Sequence, residues 1–366
     1  MKTREFLPVA KPLLPRTAEL TRYLDRIDGA QIYTNFGPLN AQLERIFSDR
    51  CSAIENHAVT GANATLLLVA AITKLSDKRR GSANKVIVPA WTFSATAQAV
   101  LQAGLVPKFV DVGLESWCIE PSDVSQHLDP DVCLIIPVIP FGDIQCLKSW
   151  ESFARQVDIP VLVDAATGFD GFHGSSLPTV ISLHATKVLS SGEGGVLYTP
   201  DEKFADNIRS FISFGFAGTN KAESSGLNAK LSEYHAAIGL ASMDSWTKRR
   251  ETWVRIKNRY LELLGRFSAS GRTPMESPFA SSVFCLHCSG GEDADSLAKF
   301  LSSKLIGSKK WWGESLPKHP AFVRYGNIPT PNADLLSRQV LGLPCFQEVT
   351  DAQIEYVADS IRVFYG

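Results

Sequence analysis

Short apolar segments alternate with amphipathic segments along the first two thirds of the chain. The apolar segments are rich in Val and Ile and end at Pro, Gly or polar residues, as buried strands do: KVIVPA, VPKFVDV, VCLIIPVI, IPVLVDAA, TVISLHA and GGVLYTP. Apolar residues at helical spacing occur in TFSATAQAVLQAG, LKSWESFARQ and DEKFADNIRSFISFG. This alternation predicts an α/β fold with a large, mostly parallel sheet flanked by helices.

The pattern changes near residue 245. The later segments predict a long charged helix, a strand and two further helices: SWTKRRETWVRIKNRYLELLGRF, SSVFCLHC, DADSLAKFLSSKLI and TDAQIEYVADSIRVF. We therefore predict a large α/β domain over residues 1–245 and a smaller C-terminal α+β domain over residues 246–366.

The charge balance argues against nucleic acid or an anionic membrane as a partner. Lys and Arg total 37 against 38 Asp and Glu, a formal net charge of −1, so an anionic ligand must be held by a local group of cations. No apolar run reaches the roughly 18 residues of a membrane span, and the first residues carry prolines and charges where a signal peptide is apolar. A cytoplasmic protein is expected.

The seven cysteines are an odd number and are scattered along the chain, which favours reduced thiols over a disulfide framework. Cys285 and Cys288 form a C-x-x-C pair, but this pair lies in a predicted strand and no second pair completes a zinc site. Buried apolar cysteines are expected here, and no metal.

Polar residues follow several of the predicted strands. Asp164 comes after VLV, Lys187 after VISLHAT, and the small-residue turn GANAT opens the helix LLLVAAIT. Each has an ordinary alternative: Asp164 as a helix cap, Lys187 as a surface charge, GANAT as a tight turn. Because ligands of open α/β sheets lie beyond the carboxyl ends of the strands, the residues together suit a flat, phosphorylated nitrogen heterocycle that forms an imine.

Several blocks of the sequence also occur, in this order, in one known family: NFGPLNAQLE, VIVPAWTFSATAQAVLQAGLVPKFVDV, VLVDAATG, SLHATKVLSSGEGG, GLNAKLSEYHAAIGLASMD and LGLPCFQEVTDAQI. With them the chain resembles the DegT/DnrJ/EryC1/StrS aminotransferases, the nucleotide-sugar branch of fold-type I enzymes that use pyridoxal 5'-phosphate (PLP). The resemblance covers nearly the whole chain and implies the fold-type I aminotransferase fold.

The resemblance implies two catalytic residues. Lys187 matches the lysine of the SFHxxK motif, which binds PLP covalently and then moves a proton between the substrate carbon and the cofactor. Both steps need a neutral amine. Asp164 matches the carboxylate that keeps the pyridine nitrogen of the cofactor protonated.

The cofactor phosphate has its own predicted site. Ser182 matches the phosphate-binding serine of the family, and Gly61, Ala62 and Asn63 match its S-G-T turn, whose backbone N–H groups hold the same phosphate. Ala62 replaces the usual threonine, and Asn63 is expected to supply the missing contact.

Further cofactor contacts are implied in the same way. Phe93 matches the residue that stacks on the ring, and Trp91 is expected to be a neighbouring wall or core residue. Thr167 replaces a glutamine near the ring oxygen and is expected to need a water to reach it. Asn228 matches an asparagine that reaches across a dimer interface to the phosphate, which implies a homodimer with shared active sites.

Contacts to the substrate are predicted from two segments. His184 matches a histidine of the lysine motif, for which substrate binding and packing beneath the cofactor are both open. The loop over residues 309–325 has Pro317 where the family often has a substrate-contacting histidine. It gathers basic and aromatic side chains that suit a nucleotide diphosphate: Lys309, Lys310, Trp311, Trp312, Lys318, His319 and Arg324. The alternative is a solvated basic loop that the two tryptophans hold against the core.

The resemblance implies transfer of an amino group from L-glutamate to C3 or C4 of a nucleotide-linked deoxy-keto-sugar, with dTDP, GDP or UDP as the nucleotide. Such a reaction belongs to amino-sugar and surface polysaccharide biosynthesis, including O-antigen. Two alternatives stay open: a PLP-dependent sugar dehydratase, in which histidine replaces the lysine, and a non-catalytic regulatory relative. The presence of Lys187 and Asp164 argues against both.

Overall fold

The computed structural model describes residues 5–77, 81–219, 221–265, 273–274, 277–288 and 294–366. Within these ranges, no helix combines the length and the apolar character needed to cross a membrane.

A twisted central sheet organises the first part of the chain. Its strands are β1 His57–Gly61, β2 Lys85–Pro89, β3 Val106–Val110, β4 Val132–Ile135, β5 Val163–Asp164, β6 Thr179–Ser182 and β7 Gly195–Thr199. They form two hydrogen-bonded groups, β3-β2-β4 and β5-β6-β7-β1, which parallel bridges at Ile135–Val161 and Val138–Asp164 join into one surface. β7 runs antiparallel to β6 and β1, and the other pairings are parallel. The predicted mostly parallel sheet is confirmed.

Helices flank this sheet, as predicted. Their bounds are α1 Thr17–Ala30, α2 Pro38–Asp49, α3 Ala64–Ser76, α4 Ser94–Gln102, α5 Pro121–Ser125, α6 Leu147–Ala154, α7 Glu202–Phe211 and α8 Glu233–Asp244. α3 is apolar around most of its circumference, and its buried residues include Leu67, Leu68 and Ile72. Such a helix belongs in the core, where α3 packs against β7, β6 and α4.

The C-terminal part is built on a smaller antiparallel sheet. Its order is β10-β9-β8, and its elements are α9 Trp246–Leu264, β8 Thr273–Pro274, β9 Phe284–His287, α10 Ala294–Ser303, α11 Pro331–Gln339, β10 Val340–Leu343 and α12 Asp351–Tyr365. The helix predicted to start near residue 245 is α9. Cys285 and Cys288 are buried in and beside β9.

The N-terminal segment crosses to this C-terminal part. The Leu7 N–H donates to Leu305 O at 2.9 Å, and the Cys345 N–H donates to Val9 O at 2.9 Å. Residues before α1 therefore pack beside elements that follow residue 246, and the division at residues 245 and 246 remains a prediction.

Candidate active site

A cavity of about 680 Å³ lies beyond the carboxyl ends of the parallel strands. Its walls include Asn63 after β1, Phe93 after β2, Asp164 at the end of β5 and Ser182 at the end of β6. Lys187 lines it as well, five residues after Ser182. Parallel strands end at one edge of a sheet, which is why residues far apart in sequence meet here.

Asp164 lies on the floor of the cavity with only 4% of its surface exposed. Its Oδ2 accepts a hydrogen bond from Thr96 Oγ1 at 2.7 Å, and its Oδ1 accepts one from the Ala166 N–H at 3.1 Å. Burial raises the pKa of this carboxyl group, whereas these bonds and the charge of Lys187 oppose the rise. Asp164 is therefore held in one orientation inside the cavity, and it is not a helix cap.

Lys187 is half-buried in the loop between β6 and β7. Burial lowers the pKa of its amine from the ordinary lysine value, and the negative charge of Asp164 partly offsets this effect. The same burial thus favours the neutral forms of both groups. An amine that is neutral at lower pH than usual is suited to act as a nucleophile and to accept protons.

The predicted phosphate residues are brought together by strand register. Gly61 of β1 and Ser182 of β6 both pair with Gly195 of β7. A Cβ at Gly195 would lie 2.6 Å from the Ala64 nitrogen, so only glycine lets β7 approach the first turn of α3 so closely. The result is a small-residue cradle at a helix N-terminus.

The residues of this turn differ in whether they line the cavity and in which hydrogen bonds they already make. The Ala62 N–H already donates to Ala229 O at 2.7 Å, and neither Gly61 nor Ala62 lines the cavity. Asn63 does line it and caps α3, since its Oδ1 accepts from the Leu66 N–H at 2.9 Å. The end of the cavity where a phosphate is predicted is therefore lined by Asn63 and the start of α3.

Aromatic side chains form another wall. The Phe93 ring is 61% exposed and lines the cavity, where it is free to stack on a ligand. Trp91 is buried, with its ring centroid 4.6 Å from that of Trp312, so its predicted place in a wall or core agrees with the structure. Thr167 also lines the cavity, and its hydroxyl is buried without a hydrogen-bond partner among the described residues.

His184 faces the cavity together with Thr186 and Glu193. His184 Nδ1 lies 2.9 Å from Thr186 Oγ1, and the Thr186 N–H donates to the same nitrogen at 3.3 Å. His184 Nε2 lies 3.6 Å from Glu193 Oε1. The imidazole therefore has a polar role at the cavity wall, beyond simple packing.

The basic loop residues separate into two groups. Lys309, Trp311 and Trp312 line the cavity. The other basic residues do not: Lys310 pairs with Asp295 at 2.9 Å, Lys318 pairs with Asp334 at 2.8 Å, His319 Nε2 lies 3.2 Å from Glu314 O, and Arg324 is stacked on Tyr325. Substrate contacts by Lys318, His319 and Arg324 remain a prediction.

Asn228 is exposed on the surface and does not line the cavity of its own chain. Its Oδ1 accepts a hydrogen bond from Lys230 Nζ at 2.7 Å. A role at the site of a neighbouring subunit is compatible with this position and remains a prediction.

The cavity residues that were not identified from the sequence include Lys11, Thr96, Glu193 and Arg249. Thr96 had a usable signal, because it lies in the first turn of a helix that follows a strand. Glu193 stands in the glycine-rich segment after Lys187. Lys11 and Arg249 come from the N-terminal segment and α9, and they reach the cavity only through contacts between distant parts of the chain.

Comparison with known proteins agrees with this geometry. The chain is 27% identical over 369 residues to dTDP-4-amino-4,6-dideoxy-D-glucose transaminase of Shigella dysenteriae, covering 97% of this chain and 98% of that protein. It is similar to the crystal structure of a Bacillus cereus protein assigned as a PLP-dependent aminotransferase, with a TM-score of 0.91, 26% identity and coverage of 98% and 100% of the two chains.

A second crystal structure, that of DesI in the presence of its TDP-sugar product, superposes with a TM-score of 0.86 and 26% identity, covering 99% of this chain and 93% of DesI. The family model described as the DegT/DnrJ/EryC1/StrS aminotransferase family matches residues 16–362. With nearly the whole chain matched, and with the lysine and the aspartate of the family in one cavity, the protein belongs to the DegT/DnrJ/EryC1/StrS aminotransferase family.

Proposed function

We propose that this protein transfers an amino group from L-glutamate to a keto group at C3 or C4 of a nucleotide-linked deoxysugar, in amino-sugar and surface polysaccharide biosynthesis. The observation that carries the proposal is the meeting of Lys187 and Asp164 in one cavity beside a helix N-terminus. Lys187 argues against the dehydratase alternative, and the presence of both Lys187 and Asp164 in the cavity argues against the regulatory one.

The cofactor is PLP, and the donor set of the cavity fits it. Asn63, the start of α3 and Ser182 would hold the phosphate, Asp164 the pyridine nitrogen, and Phe93 one face of the ring. PLP supplies a carbonyl group that takes up the amino group and a ring that accepts electrons from the substrate carbon.

The protein groups account for the proton transfers. Lys187 holds or releases a proton at Nζ, and its lowered pKa keeps a larger fraction of the amine neutral. Hydrogen bonds from the Thr96 hydroxyl and the Ala166 N–H hold the Asp164 carboxylate in one position in the cavity, so that its negative charge stays there. The half-buried position of Lys187 limits the access of water to this proton.

The charge of the cavity supports an anionic substrate. The charged side chains that line it are the cations Lys11, Lys187, Arg249 and Lys309 and the carboxylates Asp164 and Glu193. A net positive lining attracts phosphate groups although the whole chain is nearly neutral. Trp311 and Trp312 add flat surfaces for a base or a sugar.

The relatives also support this choice of substrate. One is named as a transaminase of a dTDP-linked dideoxy amino sugar, and DesI was crystallised with a TDP-sugar product. The odd number and scattered positions of the seven cysteines fit a reducing compartment such as the cytoplasm.

A homodimer is part of the proposal. Large aromatic side chains are exposed in two pairs: Phe214 at 47% and Phe216 at 40%, in the segment bridged to Asn228, and Tyr33 at 47% and Tyr234 at 46%, which stack on each other. The Phe214 N–H donates to Leu227 O, and Lys230 Nζ lies 4.6 Å from the centroid of the Phe214 ring, which ties this surface to Asn228. Exposed aromatic surface of this kind supports association with a second copy.

An absorbance titration tests the proposal. The PLP-loaded protein should show a band near the visible edge of the spectrum, and L-glutamate should change this band. Lys187→Ala should lose the band, whereas Lys203→Ala, which removes an exposed amine on α7, should keep it. Keto sugars made in situ from dTDP-, GDP- and UDP-linked precursors should then restore the band, and NMR of the product identifies the aminated carbon. A spectrum that no amino acid changes would refute the function.

A further inference from the structure

Arg249 is a buried cation on the cavity wall without a carboxylate partner among the described residues. It lies near the start of α9, is 9% exposed and lines the cavity. Its Nε donates to Ser245 Oγ at 3.1 Å and its Nη1 donates to Leu13 O at 3.0 Å. Both acceptors are neutral, and Nη2 donates to no residue that the structure describes.

Two arginines that are more exposed than Arg249 are nevertheless neutralised. Arg250 Nε lies 2.7 Å from Asp170 Oδ1, and Arg209 Nη2 lies 3.1 Å from Glu44 Oε2. A guanidinium group that leaves water without meeting an opposite charge costs free energy. Burial accordingly lowers the pKa of Arg249, and the charge of Glu19 opposes this.

The start of α9 adds to the positive charge at this wall. Its first turn contains no acidic residue, and the side chain of Ser245 makes no capping hydrogen bond to it. The N-terminus of a helix carries partial positive charge, so a basic residue here is unfavourable unless an anion is close. The sequence instead places Lys248, Arg249 and Arg250 there.

The neighbouring lining residues also suit an anion. Lys11 and Lys309 line the same cavity, and Lys309 Nζ lies 4.7 Å from the centroid of the Trp311 ring. Trp253, one turn after Arg249 on α9, adds an apolar surface. Lys11, which pairs with Glu348 at 2.6 Å, and Lys309 are both exposed, so Arg249 is the buried member of these three cations.

We infer that Arg249 binds an oxyanion of a substrate, either a carboxylate of the amino donor or a phosphate of the nucleotide sugar. The inference rests on the proposed function and adds a specific binding residue to it. Carboxylate and phosphate share the geometry that a guanidinium group meets with two parallel N–H···O bonds. An oxyanion at this place would also neutralise the start of α9.

Calorimetric titration of the PLP-loaded protein with 2-oxoglutarate and with dTDP tests the inference. Arg249→Met should weaken binding of one probe by about 10- to 100-fold, the range expected for hydrogen bonds to charged groups. Arg249→Lys keeps the charge but loses the planar guanidinium group that can donate two parallel hydrogen bonds. It should therefore weaken binding of the same probe less than Arg249→Met does. Arg255→Met is the matched control, because Arg255 lies on the same helix and pairs with Asp351 away from the cavity.

The outcomes separate the possibilities. If the variants bind only 2-oxoglutarate more weakly, Arg249 binds a carboxylate of the amino donor. If they bind only dTDP more weakly, Arg249 binds a phosphate of the nucleotide sugar. Unchanged binding of both probes in Arg249→Met and Arg249→Lys overturns the inference, and so does a loss of PLP in these variants with both probes still bound. If the wild type binds neither probe, the proposed function itself fails. The unliganded Arg249→Met protein should unfold at the same or a higher temperature, because a buried unpaired charge is removed.

Discussion

Among the described residues that line the cavity, only Lys187 combines a nucleophilic nitrogen with a lowered pKa. We predict that Lys187→Ala reduces transamination by at least about 10²- to 10⁴-fold, the usual contribution of a positioned acid or base. The protein should still fold, since the lysine is only half-buried. Single-turnover rates with L-glutamate measure the effect, and near-wild-type turnover would contradict the assignment.

The pH dependence of the wild-type enzyme follows from the same residue. Burial lowers the pKa of Lys187, so the neutral amine is populated at lower pH than for an exposed lysine. The rate of the glutamate half reaction should therefore rise with pH and level off below the ordinary lysine value of about 10.4. A rate that still rises steeply beyond that value would mean that burial does not control this amine.

Asp164 provides a second prediction at this scale. Asp164→Asn keeps the shape but removes the charge that would hold a proton on the pyridine nitrogen, and turnover should fall roughly 10- to 1,000-fold, matching a pKa shift of about one to three units. Burial raises the pKa of Asp164, so its folded form binds a proton more readily than its unfolded form. The stability of the wild-type apoprotein should decline as pH rises from about 3.9 through the raised pKa, relative to the variant. Chemical denaturation at several pH values checks the sign of this difference.

At the scale of elements, the contact between β7 and α3 shapes the end of the cavity where we propose that the phosphate binds. Gly195→Ala would place a Cβ 2.6 Å from the Ala64 nitrogen and 2.8 Å from its Cα, so strand and helix must separate. We predict a loss of roughly 1–3 kcal/mol in stability together with weaker retention of PLP. Gly29→Ala in α1, where no atom lies within 4 Å of the added Cβ, is the control. Equal PLP affinity in both variants would show that the phosphate binds elsewhere.

At the scale of the whole molecule, the exposed aromatic surface around Asn228 predicts sites shared between two chains. Lys187→Ala mixed with Asn228→Asp should recover up to roughly a quarter of the wild-type activity, because half of the dimers are mixed and each has one intact site. Lys187→Ala mixed with Asp164→Asn should recover none, since both residues line the cavity of one chain. Absence of recovery despite proven subunit exchange would refute the shared site.

Local patterns in the chain were sufficient for much of the fold. Apolar runs and helical spacing identified the main strands and helices, because side-chain burial repeats with the period of each element. Asp164 and Lys187 were identified because each follows such a run and parallel strands end at one edge. Of the predicted strand IPVLVDAA, only Val163–Asp164 forms a strand in the structure, and Val161 makes an isolated bridge. Apolar character alone does not show which residues form hydrogen bonds to a neighbouring strand.

Other properties depend on contacts between residues far apart in sequence. The antiparallel direction of β7 is one example, because the apolar pattern of a strand does not determine whether it runs parallel or antiparallel to its neighbours. The row formed by Gly61, Gly195 and Ser182 depends on strand register. Lys309 lines the cavity and Lys318 does not, although both lie in one basic loop. Arg249, for which the described residues provide no carboxylate partner, is buried because α9 packs beside the N-terminal segment. Burial, charge pairing and exposure are set by what folds against a residue, and a local sequence pattern does not contain that information.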